Sequence, residues 1–120
     1  EPIKNKIDGL AREREVGEEL EEKYPEQEGC QIVSEAYLRD KDGKIVKDPV
    51  TGEARRIDFV IVKDGEVIDS IEVTSKTADK SEQTAKEKRI REAGGNYIRD
   101  NDGNLVLFPS SIQTQIERRD

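Results

Sequence analysis

The chain has 120 residues, of which 32% are apolar and 41% charged, enough for one domain with a modest core. The formal net charge of −7 is uneven, because the segment from Glu13 to Glu28 holds eight glutamates against Arg14 and Lys23, a net charge of −6. Such acidity argues against a generally basic nucleic-acid binder, since phosphate contacts require local positive charge. We expect residues 1–120 to form a single domain.

Several function classes are excluded by the residues that the sequence lacks. Without histidine, the chain cannot use Ser-His or Cys-His catalysis or a His-ligated zinc site. A single cysteine, Cys30, excludes an intrachain disulfide. No apolar stretch is long enough for a membrane span. Because the sequence starts at Glu1 rather than Met, we expect a C-terminal fragment of a larger protein.

Apolar periodicity and turn residues divide the chain into alternating helical and extended segments. In order, the predicted elements are a helix over 3–24, a strand over 30–38, a loop or small hairpin over 40–53, strands over 57–62 and 67–74, a helix over 77–93, a hairpin of 97–98 with 105–108, and a short helix from residue 110. This order predicts a mixed α/β (α+β) fold, with a mixed central sheet flanked by helices. No internal repeat is apparent.

Two acidic residues interrupt the most apolar predicted strands, Asp58 in the first and Glu72 in the second. Burial of a carboxylate costs several kcal/mol unless it is paired, protonated or bound to a metal. A three-residue loop over Lys63-Asp64-Gly65 would put both acids on one face, and Ile57, Phe59, Ile61, Val67, Ile71 and Val73 on the other. A two-residue loop would instead place Glu72 beside Phe59. We favour the three-residue loop because it segregates apolar side chains better.

Two carboxylates on one face suit Mg²⁺ or Mn²⁺, which take oxygen ligands and keep several waters, with Zn²⁺ as an alternative. Such an ion lowers the pKa of a bound water and neutralises charge at phosphorus, chemistry that needs no histidine. The structural alternative is that the two acids form ion pairs with Arg55, Arg56 or Lys76.

Ile57-Asp58-Phe59, followed after a hairpin by Ile71-Glu72-Val73-Thr74-Ser75-Lys76, resembles the PD-(D/E)xK restriction-endonuclease-like superfamily. The pattern of that superfamily is an Asp on the second core strand and Glu-x-Lys on the third. Its fold is α-β-β-β-α-β, the order predicted above. Upstream, Gly17-Glu18-Glu19-Leu20 resembles the Gly-Glu helix of small bacterial members, whose Glu faces the site.

The resemblance implies that Asp58, Glu72 and Glu18 bind the metal or orient its waters, with Glu15 and Glu19 as alternatives to Glu18. Thr74 occupies the position of the family lysine, which positions the attacking water and stabilises charge. Lys76 lies one strand period further along the same face and is our candidate for that role. Of the residues on the following helix, Gln83, Lys86 and Lys88 are the candidates for substrate contacts, together with Thr74.

The segment from Gln83 to Phe108 also resembles the C-terminal nuclease domains of bacterial contact-dependent growth inhibition and other polymorphic toxins. This resemblance implies an exported or cell-surface parent protein, action in the target-cell cytoplasm, and a cognate immunity protein. We therefore expect a metal-dependent endonuclease acting on DNA or tRNA, with DNA slightly favoured. The alternatives are a catalytically silent binding domain that keeps the nuclease scaffold, which Thr74 favours, and an acidic immunity-type protein.

Overall fold

The computed structural model describes the backbone of residues 2–119 and the side chains of residues 7–119. Within them lie two α-helices and six strands that form one mixed sheet. The elements are α1 (Pro2–Lys23), a 3-10 turn (Glu26–Glu28), β1 (Cys30–Tyr37), β2 (Arg56–Lys63), β3 (Glu66–Ser75), α2 (Ser81–Glu92), β4 (Tyr97–Arg99), β5 (Leu105–Leu107) and β6 (Gln115–Arg119). The predicted mixed α+β class is confirmed.

The sheet has the strand order β1-β2-β3-β5-β4, and β6 also pairs with β3. Strands β1, β2 and β3 are antiparallel neighbours, whereas β5 and β6 run parallel to β3. The predicted C-terminal helix is wrong, because Gln115–Arg119 forms β6 beside Ile71–Ser75. Five residues with few apolar side chains carry little periodicity, and the exposed backbone edge of β3 supplies the hydrogen bonds that make them a strand.

Apolar side chains form one cluster on each side of the sheet. Val16 and Leu20 of α1 pack with Ile61, Ile71 and Val73. A second, larger cluster contains Ile90 of α2 together with Phe108 and sheet residues, among them Val60 and Val62. Residues 60, 61 and 62 alternate between the clusters because successive strand side chains point to opposite faces. The sheet therefore separates the two helices.

The β2–β3 turn differs from the predicted three-residue loop. Lys63 pairs with Glu66 across Asp64 and Gly65, whose φ values of 54° and 78° fit a two-residue type I′ turn. Beyond the turn, Val62 pairs with Val67 but Ile61 pairs with Asp69, so Ile68 is an extra bulged residue. The bulge shifts the register by one residue. Hence the predicted juxtaposition of Asp58 and Glu72 is correct, although the turn that was meant to produce it is wrong.

Two apolar residues lie on the opposite face from the one predicted. Val67 belongs to the cluster that contains Ile90, because it precedes the bulge in register. Ile57 belongs to the same cluster. Its partner in β1 is Ala36, and the residue before Ala36, Glu35, has φ 55° and no partner in the β1–β2 ladder. The bulge at Ile68 accounts for the position of Val67, and the change of face at Ile57 coincides with the irregular backbone at Glu35 of the neighbouring strand.

The loop between β1 and β2 is held against α2 by an ion pair whose carboxylate is buried. Asp48 is 1% exposed, and Arg89 donates to its two carboxylate oxygens from Nε and Nη2, each at 2.7 Å. These bonds hold the pKa of Asp48 well below its usual range. The segment predicted as a loop or small hairpin contains the isolated bridges Arg39–Ile45 and Lys47–Ala54.

Two tight loops reveal a short internal repeat that the sequence analysis missed. Arg39-Asp40-Lys41-Asp42-Gly43 and Arg99-Asp100-Asn101-Asp102-Gly103 fold alike. In each, the first Asp accepts hydrogen bonds from the backbone two and four residues on, and the Arg donates to the carbonyl oxygen of the Gly. Arg39 also pairs with Tyr97, so the loops lie side by side. A motif this short, recurring once at a spacing of sixty residues, gives little signal in the sequence.

Candidate active site

Asp58 and Glu72 lie together where β2 and β3 separate. The last regular pair of this ladder is Phe59 with Ile71, so Asp58 lies opposite Glu72. The backbone N–H of Val73 would have no strand partner there, and it donates to Asp58 Oδ2 at 2.8 Å. Asp58 thereby replaces a missing ladder hydrogen bond, which fixes its carboxylate next to that of Glu72.

Both carboxyl groups have raised pKa values. Burial is the main cause for each. The charge of Glu13 further raises the pKa of Asp58, and the charge of Asp58 further raises that of Glu72. The Val73 N–H lowers the pKa of Asp58 and Arg55 lowers that of Glu72, but neither cancels the effect of burial. Two adjacent carboxyl groups that resist ionisation are typical of functional sites, since a cation or a shared proton relieves the repulsion.

Glu72 is bound to protein cations at both oxygens. Arg55 Nη2 lies 3.2 Å from Glu72 Oε1, and Lys80 Nζ lies 3.7 Å from Oε2. Arg55 Nε also donates to Glu87 Oε1 at 3.0 Å. The structural alternative raised from the sequence, pairing of an acid with Arg55, is therefore present for Glu72.

The network continues through hydroxyl groups into the interior. Thr114 Oγ1 donates to Glu87 Oε2 at 2.6 Å, and Ser70 and Thr114 are joined by a hydroxyl–hydroxyl bond of 2.7 Å. Arg55, Ser70, Glu72 and Glu87 are all buried. A buried charge network in which each group is satisfied holds its side chains in one arrangement, so the Glu72 carboxylate has a fixed position.

Lys80 lies beside the acid pair, with its Nζ 3.7 Å from Glu72 Oε2, and sequence reasoning did not place it there. β3 ends at Ser75, and Lys76 lies exposed in the bend that follows. Lys80 stands immediately before α2, whose first residue is Ser81. The predicted helix began at residue 77, and this earlier start concealed the bend that turns the Lys80 side chain back to Glu72.

Thr74, at the position of the family lysine, is 6% exposed and pairs with Arg118 of β6. A short side chain fits this buried position, where a lysine would have to bury its charge.

The glutamate of α1 that acts on the acid pair is Glu13. Its pKa is raised by burial and by the charges of Glu35 and Glu72. Glu18 is exposed, and Glu15 and Glu19 each bind Arg119 at 2.6 Å. The sequence did contain a signal for Glu13, because it lies three residues before Val16 on the stripe that packs against the sheet.

The three candidate substrate contacts on α2 do not all lie on the same side of the helix region that faces Glu72. Gln83 and Lys88 line a cavity beside Glu72. Lys86 instead forms an ion pair of 3.5 Å with Glu53 of the β1–β2 loop.

A divalent cation would find two adjacent carboxylates here, Asp58 and Glu72. Within residues 7–119, whose side chains the structure describes, no three Asp, Glu, Cys or His side chains come close enough to hold a metal ion. Two carboxylates with waters and substrate oxygens are a usual environment for Mg²⁺, so the donor set fits such an ion provided that the substrate completes the shell.

Comparison of the chain with protein-family models, with curated proteins and with solved structures finds no match. Among the described residues, no helix combines the length and hydrophobicity that crossing a membrane requires.

Proposed function

We propose that the chain is an endonuclease that uses Mg²⁺ or Mn²⁺ to hydrolyse phosphodiester bonds. Asp58 and Glu72 bind the cation, and Lys80, in place of the predicted Lys76, stabilises negative charge at phosphorus. The observation that carries the proposal is the adjacency of two raised-pKa carboxyl groups with a lysine 3.7 Å from one of them. The order of α1, β1, β2, β3, α2 and the later parallel strands supports the resemblance to the restriction-endonuclease-like fold.

On the second resemblance we propose that this activity is that of a bacterial competition toxin domain, with a cognate immunity protein as its partner. The parent would be exported or displayed at the cell surface, and the domain would act in the target-cell cytoplasm. Toxicity on expression in bacteria, lost in the Asp58→Asn variant, would support this role.

The activity test is cleavage of plasmid DNA and of tRNA with Mn²⁺ or Mg²⁺. Asp58→Asn and Glu72→Gln keep an acceptor for Val73 and Arg55 but remove the charges, and we expect each to lose at least about a hundredfold in rate. Glu66→Gln, at the exposed start of β3, is the matched control and should retain wild-type activity. Retention of activity in both site variants would refute the proposal.

A pair of lysine variants tests which lysine serves the site. We expect Lys80→Met to lose about a hundredfold in rate, because Lys80 lies beside Glu72, and Lys76→Met to stay within about threefold of wild type. The reverse order would return this role to Lys76.

Stability measurements test the metal site without an activity assay. Because the pKa values of Asp58 and Glu72 are raised in the folded state, their ionisation destabilises the fold as pH rises above about 4. At pH 7, Mn²⁺ should raise the melting temperature of the wild type by mass action. It should raise that of Asp58→Asn much less.

A catalytically silent binding domain is the second candidate, favoured by Arg55 at Glu72 Oε1 and by Thr74 at the family lysine position. A protein of this kind would show neither cleavage nor a melting-temperature shift with Mn²⁺.

A further inference from the structure

A cavity of about 360 Å³ lies beside the acid pair, between α2 and the segment 110–116. Arg55, Glu72 and Lys80 form part of its lining, so it is continuous with the candidate active site. Its volume lies within the range of small-molecule sites. Amide and hydroxyl groups line much of the remainder, namely those of Gln83, Thr84, Asn96, Ser110, Gln113 and Thr114.

The charges around the cavity are nearly balanced and largely engaged with protein groups. Arg55 binds both Glu72 and Glu87. Arg91 donates to the carbonyl oxygen of Pro109 at 2.6 Å and packs over the ring of Phe108. An additional phosphate inside the cavity would compete with these bonds. The remaining neutral donors and acceptors suit an uncharged group with a polar edge, which is the chemistry of a nucleobase.

Gln83 supplies an acceptor that lacks a partner. Its Oε1 is shielded from solvent and makes no hydrogen bond, an arrangement that costs about 1–3 kcal/mol. Because Gln83 also lines the cavity, rotation of its amide toward a bound ligand would give this oxygen a donor. Base amino and imino groups are such donors.

We propose that this cavity binds the base of one unpaired nucleotide, next to the phosphodiester bond that the acid pair cleaves. The catalytic part of this inference rests on the proposed function. In a duplex the bases are stacked and paired, so a base enters such a cavity only after flipping out, which costs a few kcal/mol. The cavity therefore selects single-stranded DNA or an RNA loop over duplex DNA.

Binding is tested by titrating the protein, without metal, with the four ribonucleoside 5′-monophosphates while recording amide NMR spectra. We expect saturable binding of at least one nucleotide, with shifts centred on α2 and residues 110–116. Gln83→Leu should weaken this binding about tenfold. Gln27→Leu, in the exposed 3-10 turn outside this cavity, is the matched control and should leave the affinity unchanged.

Gln83→Leu removes an unpartnered buried acceptor, so the free energy of unfolding of this variant should be no lower than that of the wild type. Measuring it distinguishes a loss of nucleotide binding from a loss of folding. Absence of saturable binding to the wild type, or equal affinity in Gln83→Leu, would overturn the inference.

Strand preference is tested with tRNA, single-stranded DNA and duplex DNA of matched sequence in the presence of Mn²⁺. We expect cleavage of one of the first two to be at least about tenfold faster than that of the duplex. Equal cleavage of duplex DNA without nucleotide binding would refute the pocket but leave the nuclease intact. Nucleotide binding without cleavage of any substrate would support the pocket and refute the nuclease.

Discussion

Replacement of Arg55 by Met perturbs the buried charge network at its centre. The side chains of Arg55, Glu72 and Glu87 are 4%, 8% and 10% exposed, and one guanidinium binds both carboxylates. Removing it leaves two buried carboxylates without this cation, and breaking a buried pair in this way costs roughly 3–5 kcal/mol. We therefore expect R55M to lower the free energy of unfolding by about 3–5 kcal/mol, a large part of the total stability of a domain this size.

The assay is urea denaturation at pH 7, with the midpoint and the m-value compared between variants. Arg56 provides the matched control, because its side chain is 56% exposed and lies 3.9 Å from the exposed Glu35. R56M should change the stability by no more than about 1 kcal/mol. Adding Glu87→Gln to R55M should recover part of the loss, with a coupling energy of about 0.5–3 kcal/mol.

A loss below about 1 kcal/mol in R55M, or additive effects of the Arg55 and Glu87 substitutions, would refute the view that this network is buried and mutually dependent. In that case Glu72 would have no fixed position, and the geometry on which the proposed metal site depends would be lost.

Two further predictions concern groups outside the site. Burial and a hydrogen bond of 2.7 Å to Asp69 raise the pKa of Tyr24 to about 12. The free energy of unfolding should therefore fall as pH rises from about 10 toward 12. Urea midpoints measured over this range should fall less steeply in Tyr24→Phe than in the wild type. A Cβ at Gly95 would lie 2.6 Å from Ile90 Cγ2, so Gly95→Ala should destabilise by about 1–3 kcal/mol. Gly9→Ala is its control, because a Cβ there meets nothing closer than 3.8 Å, and it should stabilise α1 by about 0.5–1 kcal/mol. Thermal or urea unfolding in which both variants changed the free energy of unfolding in the same direction would contradict this reasoning.

The acidity of the first helix has a different meaning in the structure from the one the sequence suggested. Glu15 and Glu19 bind Arg119 at the end of β6, and this contact holds the last strand to α1. Glu18 is exposed, and Glu13 is the glutamate whose charge acts on the acid pair. Most of the −6 charge is thus a solvated or ion-paired surface.

The sequence alone determined the main elements, because apolar alternation and turn residues are local signals. It also identified Asp58 and Glu72, since an acid within an apolar strand is unusual wherever that strand folds. What the local signals could not specify was the bulge at Ile68, which depends on how two strands accommodate each other and which sets the register of the acids.

Only the tertiary structure decided which other groups reach the acid pair. Arg55, Glu87 and Thr114 come from three separate segments, so no spacing along the sequence predicts that they form a network. Lys80 reaches Glu72 because α2 starts after a bend, a boundary that propensity fixes only to within a few residues. β6 is a strand because β3 offers an open edge, and a five-residue segment takes the structure that its partner can hydrogen-bond.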